Sequence, residues 1–360
     1  MRLIIAGGGT GGHLFPALAI ARALKAEDST CSILFVGTRH GIEARIVPQT
    51  EFPVRFITAR GIRRTGLLTT LRSVIEIPLG VLQSIRLIRE FRPNVVLGVG
   101  GYASGPTLMA AVLAGIPTAI QEQNSVMGTT NRILLRFVDR VFTSWEETVP
   151  APPAAKTVLA GNPIREDLLT ASQQAGGGDR INILVFGGSR GARSINLAIT
   201  ENLDLLTPLV GKMNLLHQTG HEAIDQVRDC YNKAGIPADV REFIDDMGQA
   251  YAWADLVVCR SGASSIAEIT ALGKPAILVP YPYAVGDHQT RNALVLESGG
   301  AARVIRDEDL KNGRLAREIL YLAERRDLLD SMAGNSRKLG RPEAARTIAR
   351  TLIDMERNRN

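Results

Sequence analysis

The sequence predicts an α/β protein of two Rossmann-like domains, each a doubly wound parallel sheet, facing a cleft. Three observations carry this. Short apolar, β-branched runs alternate with longer helical patterns along all 360 residues, as strands buried on both faces require. Glycine-rich turns follow strands at corresponding places in the two halves. An internal echo relates Leu113-Ala-Gly-Ile-Pro-Thr-Ala-Ile120 to Ala271-Leu-Gly-Lys-Pro-Ala-Ile-Leu278, with the Gly-x-Pro elements 158 residues apart. The length suits two domains, and 45% apolar with 22% charged residues is an ordinary globular balance that excludes wholesale disorder.

Taken in order, the first-half strands are Leu3–Ala6, Ile33–Val36, Val95–Val99 and Thr118–Ile120. Those of the second half are Asn182–Phe186, Met213–His217, Leu256–Cys259 and Ala276–Val279. The Pro/Ala-rich stretch 150–155 and the Gly-rich stretch 175–178 bracket a domain junction, giving domains 1–160 and 161–340. Ile348, Leu352 and Met355 recur at helical spacing, so 341–360 forms an amphipathic helix able to pack back on the first domain. The N-terminus breaks into glycines too soon for a signal-peptide core, and no apolar stretch reaches the roughly 18 residues of a membrane span. Cys31, Cys230 and Cys259 are too few and too dispersed for a disulfide framework or a four-ligand zinc site, which fits a reducing cytosol.

Three turns suit anion binding. Gly7-Gly-Gly-Thr-Gly-Gly-His13 links the first strand to a helix, where glycine lets backbone N–H groups approach a ligand and the helix start favours negative charge. A nicotinamide dinucleotide is disfavoured, because the second strand ends Val36-Gly-Thr-Arg39 without the acid that would hold a ribose. A P-loop is excluded, since no glycine turn ends Gly-Lys-Ser/Thr. Gly187-Gly-Ser-Arg-Gly-Ala-Arg193 and Arg260-Ser-Gly-Ala-Ser-Ser-Ile-Ala-Glu268 follow strands of the second half. In the latter, a phosphate at the helix start and ribose hydroxyls near Glu268 suit a nucleotide bound beyond the strands' carboxyl ends.

Polar clusters occupy other turns. Gln121-Glu-Gln-Asn-Ser125 follows a strand and suits sugar hydroxyls, and Asp287–Asn292 takes the corresponding place in the second half. Phe243-Ile-Asp-Asp-Met247 ends a strand and starts a helix, offering either a backbone edge for a base or core packing with an Asp cap. An imidazole's ordinary pKa lies near neutrality, which makes His13 a candidate base, or else it braces its turn. The Asp307-x-Asp309 pair lies outside every glycine turn, so a metal–diphosphate role there is disfavoured. Charge on a leaving diphosphate then falls to helix starts, backbone N–H groups and cationic or hydroxyl side chains.

The net charge of +6 concentrates locally: ten arginines stand against four glutamates between Arg39 and Arg92. The surplus overlaps the apolar stretch Gly66–Phe91, which reads either as a basic amphipathic membrane face or as a buried helix with solvated arginines.

Gly8–His13, Glu122-Gln-Asn124, Gly161-Asn-Pro-Ile-Arg165, Gly187–Ala192, Phe243–Met247 and Arg260-Ser-Gly-Ala263 with Glu268, in this order, resemble the MurG family, the N-acetylglucosaminyltransferases of peptidoglycan synthesis. The resemblance implies a GT-B fold and inverting transfer of N-acetylglucosamine from UDP-N-acetylglucosamine to the 4-hydroxyl of the muramoyl sugar of lipid I, giving lipid II, without metal or other cofactor. It implies an acceptor- and membrane-facing first domain and a donor-binding second one. Thr10, Gly11 and Gly12 would border donor sugar and diphosphate, Asn124 and Gln289 would contact the sugar, and Arg165 and Ser189 would line the nucleotide site. Ile244 would meet uracil through its backbone. Ala263, Ser264, Ser265, Ile266 and Ala267 would hold the diphosphate, with Glu268 on the ribose. Gln121 stands where the family often has histidine, leaving His13 or Glu122 as the base. The partners implied are UDP-N-acetylglucosamine, lipid I, an anionic membrane surface and proteins of cell-wall synthesis, not nucleic acid. The location implied is peripheral, on the cytoplasmic face of the membrane, with Arg60, Arg63, Arg64, Arg72, Arg86 and Arg89 on the membrane side. Two alternatives stay open: a UDP-sugar 2-epimerase of the same architecture, and a basic nucleic-acid or membrane scaffold protein.

Overall fold

A computed structural model describes residues 1–59, 67–171, 179–188 and 191–358. Side chains of 67–75 are not among them, so Arg72, like Arg60, Arg63 and Arg64, lies outside the described residues, as do the glycine stretch 175–178 and Ser189.

The chain divides into two compact units: Met1–Ile164 with Glu343–Asn360, and Arg165–Pro342. The first unit runs β1 (Arg2–Ala6), α1 (Gly11–Glu27), β2 (Ser32–Gly37), α2 (Glu43–Ile46), β3 (Val54–Phe56), α3 (Leu67–Phe91), β4 (Val95–Gly98), α4 (Ser104–Leu113), β5 (Thr118–Glu122), α5 (Thr129–Leu134), β6 (Arg140–Thr143) and β7 (Thr157–Leu159). Its seven strands are all parallel, in the order β3-β2-β1-β4-β5-β6-β7. Alternate residues of β1 enter opposite cores: Leu3 and Ile5 pack with α1, Ile4 and Ala6 with the α4 side. Helices on both faces explain why β1 carries no polar alternation.

The second unit runs α6 (Glu166–Ala171), β8 (Ile181–Phe186), α7 (Arg193–Thr200), β9 (Met213–Gln218), α8 (Ile224–Lys233), β10 (Asp239–Arg241), α9 (Met247–Trp253), β11 (Leu256–Cys259), α10 (Ala263–Leu272), β12 (Ala276–Leu278), α11 (His288–Ser298), β13 (Ala302–Val304), α12 (Arg314–Ala323) and α13 (Arg326–Leu339). Its six parallel strands repeat the order, β10-β9-β8-β11-β12-β13. In both sheets the order reverses beside the first strand, and crevices at such points take ligands.

The chain then returns to the first unit as α14 (Ala344–Arg357). Ile348, Ala349 and Leu352 are fully buried with Leu14 and Leu18 of α1, and Arg346 and Arg350 pair with Glu27. Burying Ile348 and Leu352 contributes roughly 1.5–3 kcal/mol each.

The sequence reading missed β3, β6, β7 and β13, and gave no bounds to the strand ending before Phe243, which is β10. β3, β7, β10 and β13 are the margins of the two sheets, where no continuous apolar run is needed. It also ended β5 too early: the strand continues through Gln121 and Glu122, both buried.

Candidate functional site

The first glycine turn connects β1 to α1, and the protein itself takes its backbone donors. Gly7 N–H donates to Val36 O at 3.0 Å and Gly8 N–H to Gly100 O at 3.3 Å. Gly9 N–H donates to Glu43 Oε2 at 2.7 Å. The other oxygen of Glu43 accepts from Thr38 N–H at 2.8 Å and Thr38 Oγ at 3.0 Å, and the residue is 2% exposed. Of the turn Gly7–His13, expected to point N–H groups at a ligand, the first three residues do not: Gly7 and Gly8 donate to backbone carbonyls and Gly9 to the Glu43 carboxylate. Thr10 caps α1, with His13 N–H and Leu14 N–H donating to its carbonyl; Gly11 and Gly12 form the first turn of that helix. His13 Nδ1 lies 3.1 Å from Gly8 O. In the tautomer that donates this bond, the basic lone pair is on Nε2.

The polar cluster after β5 is largely internal. Glu122 is 1% exposed and accepts from Asn124 N–H (3.1 Å), Gly128 N–H (3.0 Å) and Asn131 Nδ2 (2.9 Å). Gln123 donates to Val99 O (2.8 Å) and to Gln121, which donates to Asn162. The run read as sugar-facing is thus a buried network bracing the loops beyond β4 and β5, with Asn124 its partly exposed member.

In the second unit the corresponding turn opens onto a cavity of about 700 Å³. It is lined by Gly187, Gly188 and the start of α7, by Arg260, Gly262 and Ser265 at the start of α10, and by Tyr281, Pro282, Tyr283, Gln289 and Asp307. A neutral buried network holds the turn from beneath. His217 bonds Tyr231 OH (2.9 Å) and Asn196 Oδ1 (3.1 Å), and Asn196 Nδ2 donates to Thr219 O (3.0 Å). Gly191, at φ +72°, packs so closely on Thr219 O that no Cβ fits. Gln218 Nε2 donates to Gly188 O at 2.9 Å. Burial lowers the His217 pKa to about 3, so the ring is neutral near pH 7.

The predicted second-half residues fall around this cavity as follows. Ser265 and Gln289 line it. Gln289 is clamped at both ends, its side-chain oxygen accepting from Tyr281 N–H (2.9 Å) and its carbonyl from Ser261 Oγ (2.9 Å). Ala263, Ser264, Ile266 and Ala267 belong to the first turns of α10, with Ile266 and Ala267 buried; Ser264 Oγ is buried without a hydrogen-bond partner among the described residues. Glu268, one turn further, accepts from Tyr251 OH at 2.9 Å. Burial raises its pKa to about 7, against the lowering effects of that bond and of the nearby Arg165 charge. Arg165, Glu268 and Tyr251 thus form one cluster. Ile244 lies between β10 and α9, only 2% exposed.

Asp307 corrects the sequence reading, which set it apart from the glycine turns. It pairs with Arg260 and accepts from Ser194 Oγ at 2.7 Å, joining the cavity wall to the start of α7. Arg260 also donates to Val279 O and Pro280 O and lies over the Tyr281 ring at 5.5 Å. The partnerships of Glu43 with Gly9 and of Asp307 with Ser194 carried no sequence signal, since each joins chain segments far apart.

On α3, Ile77, Leu79 and Leu82 are exposed, as are Arg86 and Arg89, whereas Ile88 is buried and Val81, Ile85 and Leu87 pack partly into the core. The apolar content is divided between core and surface. Among the described residues no helix is long and apolar enough to cross a membrane.

Two parallel sheets of this order are those of the GT-B fold class. The glycosyltransferase family 28 N-terminal domain matches residues 3–143 and its C-terminal domain residues 182–348. The UDP-N-acetylglucosamine–N-acetylmuramyl-(pentapeptide) pyrophosphoryl-undecaprenol N-acetylglucosamine transferase of Syntrophus aciditrophicus is 47% identical over 99% of this chain and 99% of that protein. The crystal structure of Acinetobacter baumannii MurG superposes with a TM-score of 0.81 at 31% identity, covering 98% and 99% of the two chains. The chain belongs to glycosyltransferase family 28 and, within it, to the MurG family. A UDP-GlcNAc 2-epimerase from Neisseria meningitidis, 14% identical with a TM-score of 0.68 over 98% of this chain and all of that one, shares the fold alone.

Proposed function

We propose that the chain transfers N-acetylglucosamine from UDP-N-acetylglucosamine to the 4-hydroxyl of the muramoyl sugar of lipid I, with inversion, giving lipid II. The observation that carries this reading is the cavity before the second glycine turn, framed by two helix starts and by hydroxyl and amide side chains, where a diphosphate gains fixed donors. In this reading the second unit binds the nucleotide: the turn that contains Ser189 and the start of α10 take the diphosphate, Glu268 and Arg165 the ribose end, Ile244 the base, and Gln289 the sugar. Asn124, with Thr10, Gly11 and Gly12, serves the sugars from the first unit.

In this mechanism the acceptor oxygen attacks the anomeric carbon while the bond to the diphosphate oxygen breaks, and UDP leaves with its electron pair. His13 Nε2 takes the hydroxyl proton. Of the two candidate bases we favour His13, because four N–H donors already engage the Glu122 carboxylate. The enzyme works peripherally on the cytoplasmic leaflet, with Leu82, Arg86 and Arg89 of α3 against anionic lipid, each cation worth about 1 kcal/mol there.

The deciding assay follows labelled sugar from UDP-N-acetylglucosamine onto a lipid I analogue. Labelled lipid product is expected. Formation of the manno epimer from the donor alone, with no lipid product, would instead establish the epimerase.

A further inference from the structure

Among the described residues that line the second-unit cavity, Asp307 is the sole carboxylate, set beside the cations Arg193 and Arg260. Its place is fixed from two sides. Asp307 Oδ1 pairs with Arg260 Nη1 and accepts from Ser194 Oγ at 2.7 Å, while Arg260 Nη2 donates to that same Ser194 Oγ at 2.7 Å. Arg260 Nη1 also donates to Val279 O and Pro280 O. The triangle thus ties the segment after β13 to the start of α7 and to the end of β12. Both charged side chains are mostly buried, so salt screens them less than it screens surface charges. Asp307 balances the charge of Arg260, which leaves the lining one positive charge in excess. Arg193 stands at the first position of α7, where a cation opposes the helix dipole and an anion would relieve it.

A fixed negative charge beside a diphosphate weakens its binding in proportion to the charge that the ligand carries. The sugar nucleotide is a diphosphate diester with about two negative charges. Once the bond to the anomeric carbon breaks, the bridging oxygen becomes a terminal one, and UDP carries about three, because the second ionisation of a phosphate lies near pH 6. The same carboxylate therefore repels the product more than the donor. We propose that Asp307 sets the charge of this cavity so that UDP is held less tightly than the fixed N–H, hydroxyl and cationic groups alone would hold it, and so departs once the sugar is transferred. This rests on the proposed nucleotide site and adds to it a residue that governs product release. Asp307→Asn keeps the shape and an oxygen able to accept from Arg260 and Ser194, and removes the charge.

The test titrates the full chain calorimetrically with uridine, UDP and UDP-N-acetylglucosamine, without acceptor, at about 10 mM salt, where screening is weak, and again at about 150 mM. At the lower salt, Asp307→Asn is expected to bind UDP about fivefold and the donor about threefold more tightly than wild type, the effect of one charge acting across roughly 10 Å of water. Uridine, which has no phosphate, should bind both proteins equally, and the gains should shrink at the higher salt. Wild type that binds UDP with an affinity the variant matches or falls below would overturn the proposal and leave the nucleotide site standing. So would equal gains for UDP and the donor, or a parallel change for uridine, which marks a merely structural role. Wild type that binds no UDP would remove the nucleotide site itself, and this proposal with it. If Asp307→Asn does not fold, Asp307→Gln is titrated in its place under the same criteria.

Discussion

The two glycine turns occupy equivalent places in sheets of the same strand order, yet they are finished in opposite ways. The first is filled from the front by the Glu43 carboxylate, which takes the Gly9 amide. The second is braced from behind by His217, Asn196 and Gln218, all neutral, and its front opens onto a 700 Å³ cavity. Equivalent glycine turns of one chain thus differ in what meets their backbone, a carboxylate in the first and a cavity in the second.

If the division of labour follows this difference, the largest effect belongs to the chemistry assigned to the first unit. His13→Ala should lower kcat by about 10²–10⁴-fold, the range of a general base, with UDP affinity unchanged. Single-turnover transfer and UDP titration calorimetry check the two halves separately. Loss of UDP binding in this variant would break the comparison, since the first turn would then be serving the nucleotide.

A second contrast is between glycines. Gly191→Ala combines a left-handed backbone with collision against Thr219 O and should cost about 3 kcal/mol or more, with loss of UDP-induced stabilisation. Gly9→Ala, at φ +87° with open space around a Cβ, should cost about 1–2 kcal/mol from backbone strain alone. Thermal unfolding with and without UDP distinguishes them.

This contrast also marks how far the sequence could be read. The parallel sheets were legible because β1, β8 and β11 are apolar throughout, and the glycine turns because glycine clusters follow them. What the turns hold was not. Glu43 lies 34 residues from the amide it occupies, and Asp307 lies 113 from Ser194; neither partnership leaves a local pattern. Gln121 and Glu122 read as part of a sugar-facing turn because polarity was taken as exposure, whereas a buried strand end can carry polar side chains when each finds a partner. Arg165 and Glu268 were named for a common site on resemblance, and the fold brings them together through α6, α9 and α10.

Acid should act on the second turn through its brace. The His217 pKa is depressed from 6.5 to about 3 in the fold, so the unfolded chain binds the proton first. The associated stability is complete above pH 6.5 and declines as pH falls towards 3, by roughly 3 kcal/mol at pH 4. Denaturant unfolding of wild type and His217→Asn between pH 7 and 4 isolates this contribution. A variant as acid-sensitive as wild type would place the effect elsewhere.

The smallest effect lies with Glu268, and it sharpens the assignment of the nucleotide to the second unit. Its pKa is raised from 4.5 to about 7 by burial, so the folded protein holds this carboxyl partly protonated at neutral pH. Ribose hydroxyls donate best to the ionised form, so nucleotide binding must draw the proton off. UDP affinity should therefore rise with pH through 6–8, by up to roughly tenfold per unit below the pKa, and level off above it. Binding at pH 6 should release a proton, seen as a dependence of the calorimetric enthalpy on buffer ionisation. Glu268→Gln should be weaker at pH 8, nearly flat with pH and free of proton release. A wild-type profile already flat over this range would remove Glu268 from the ribose.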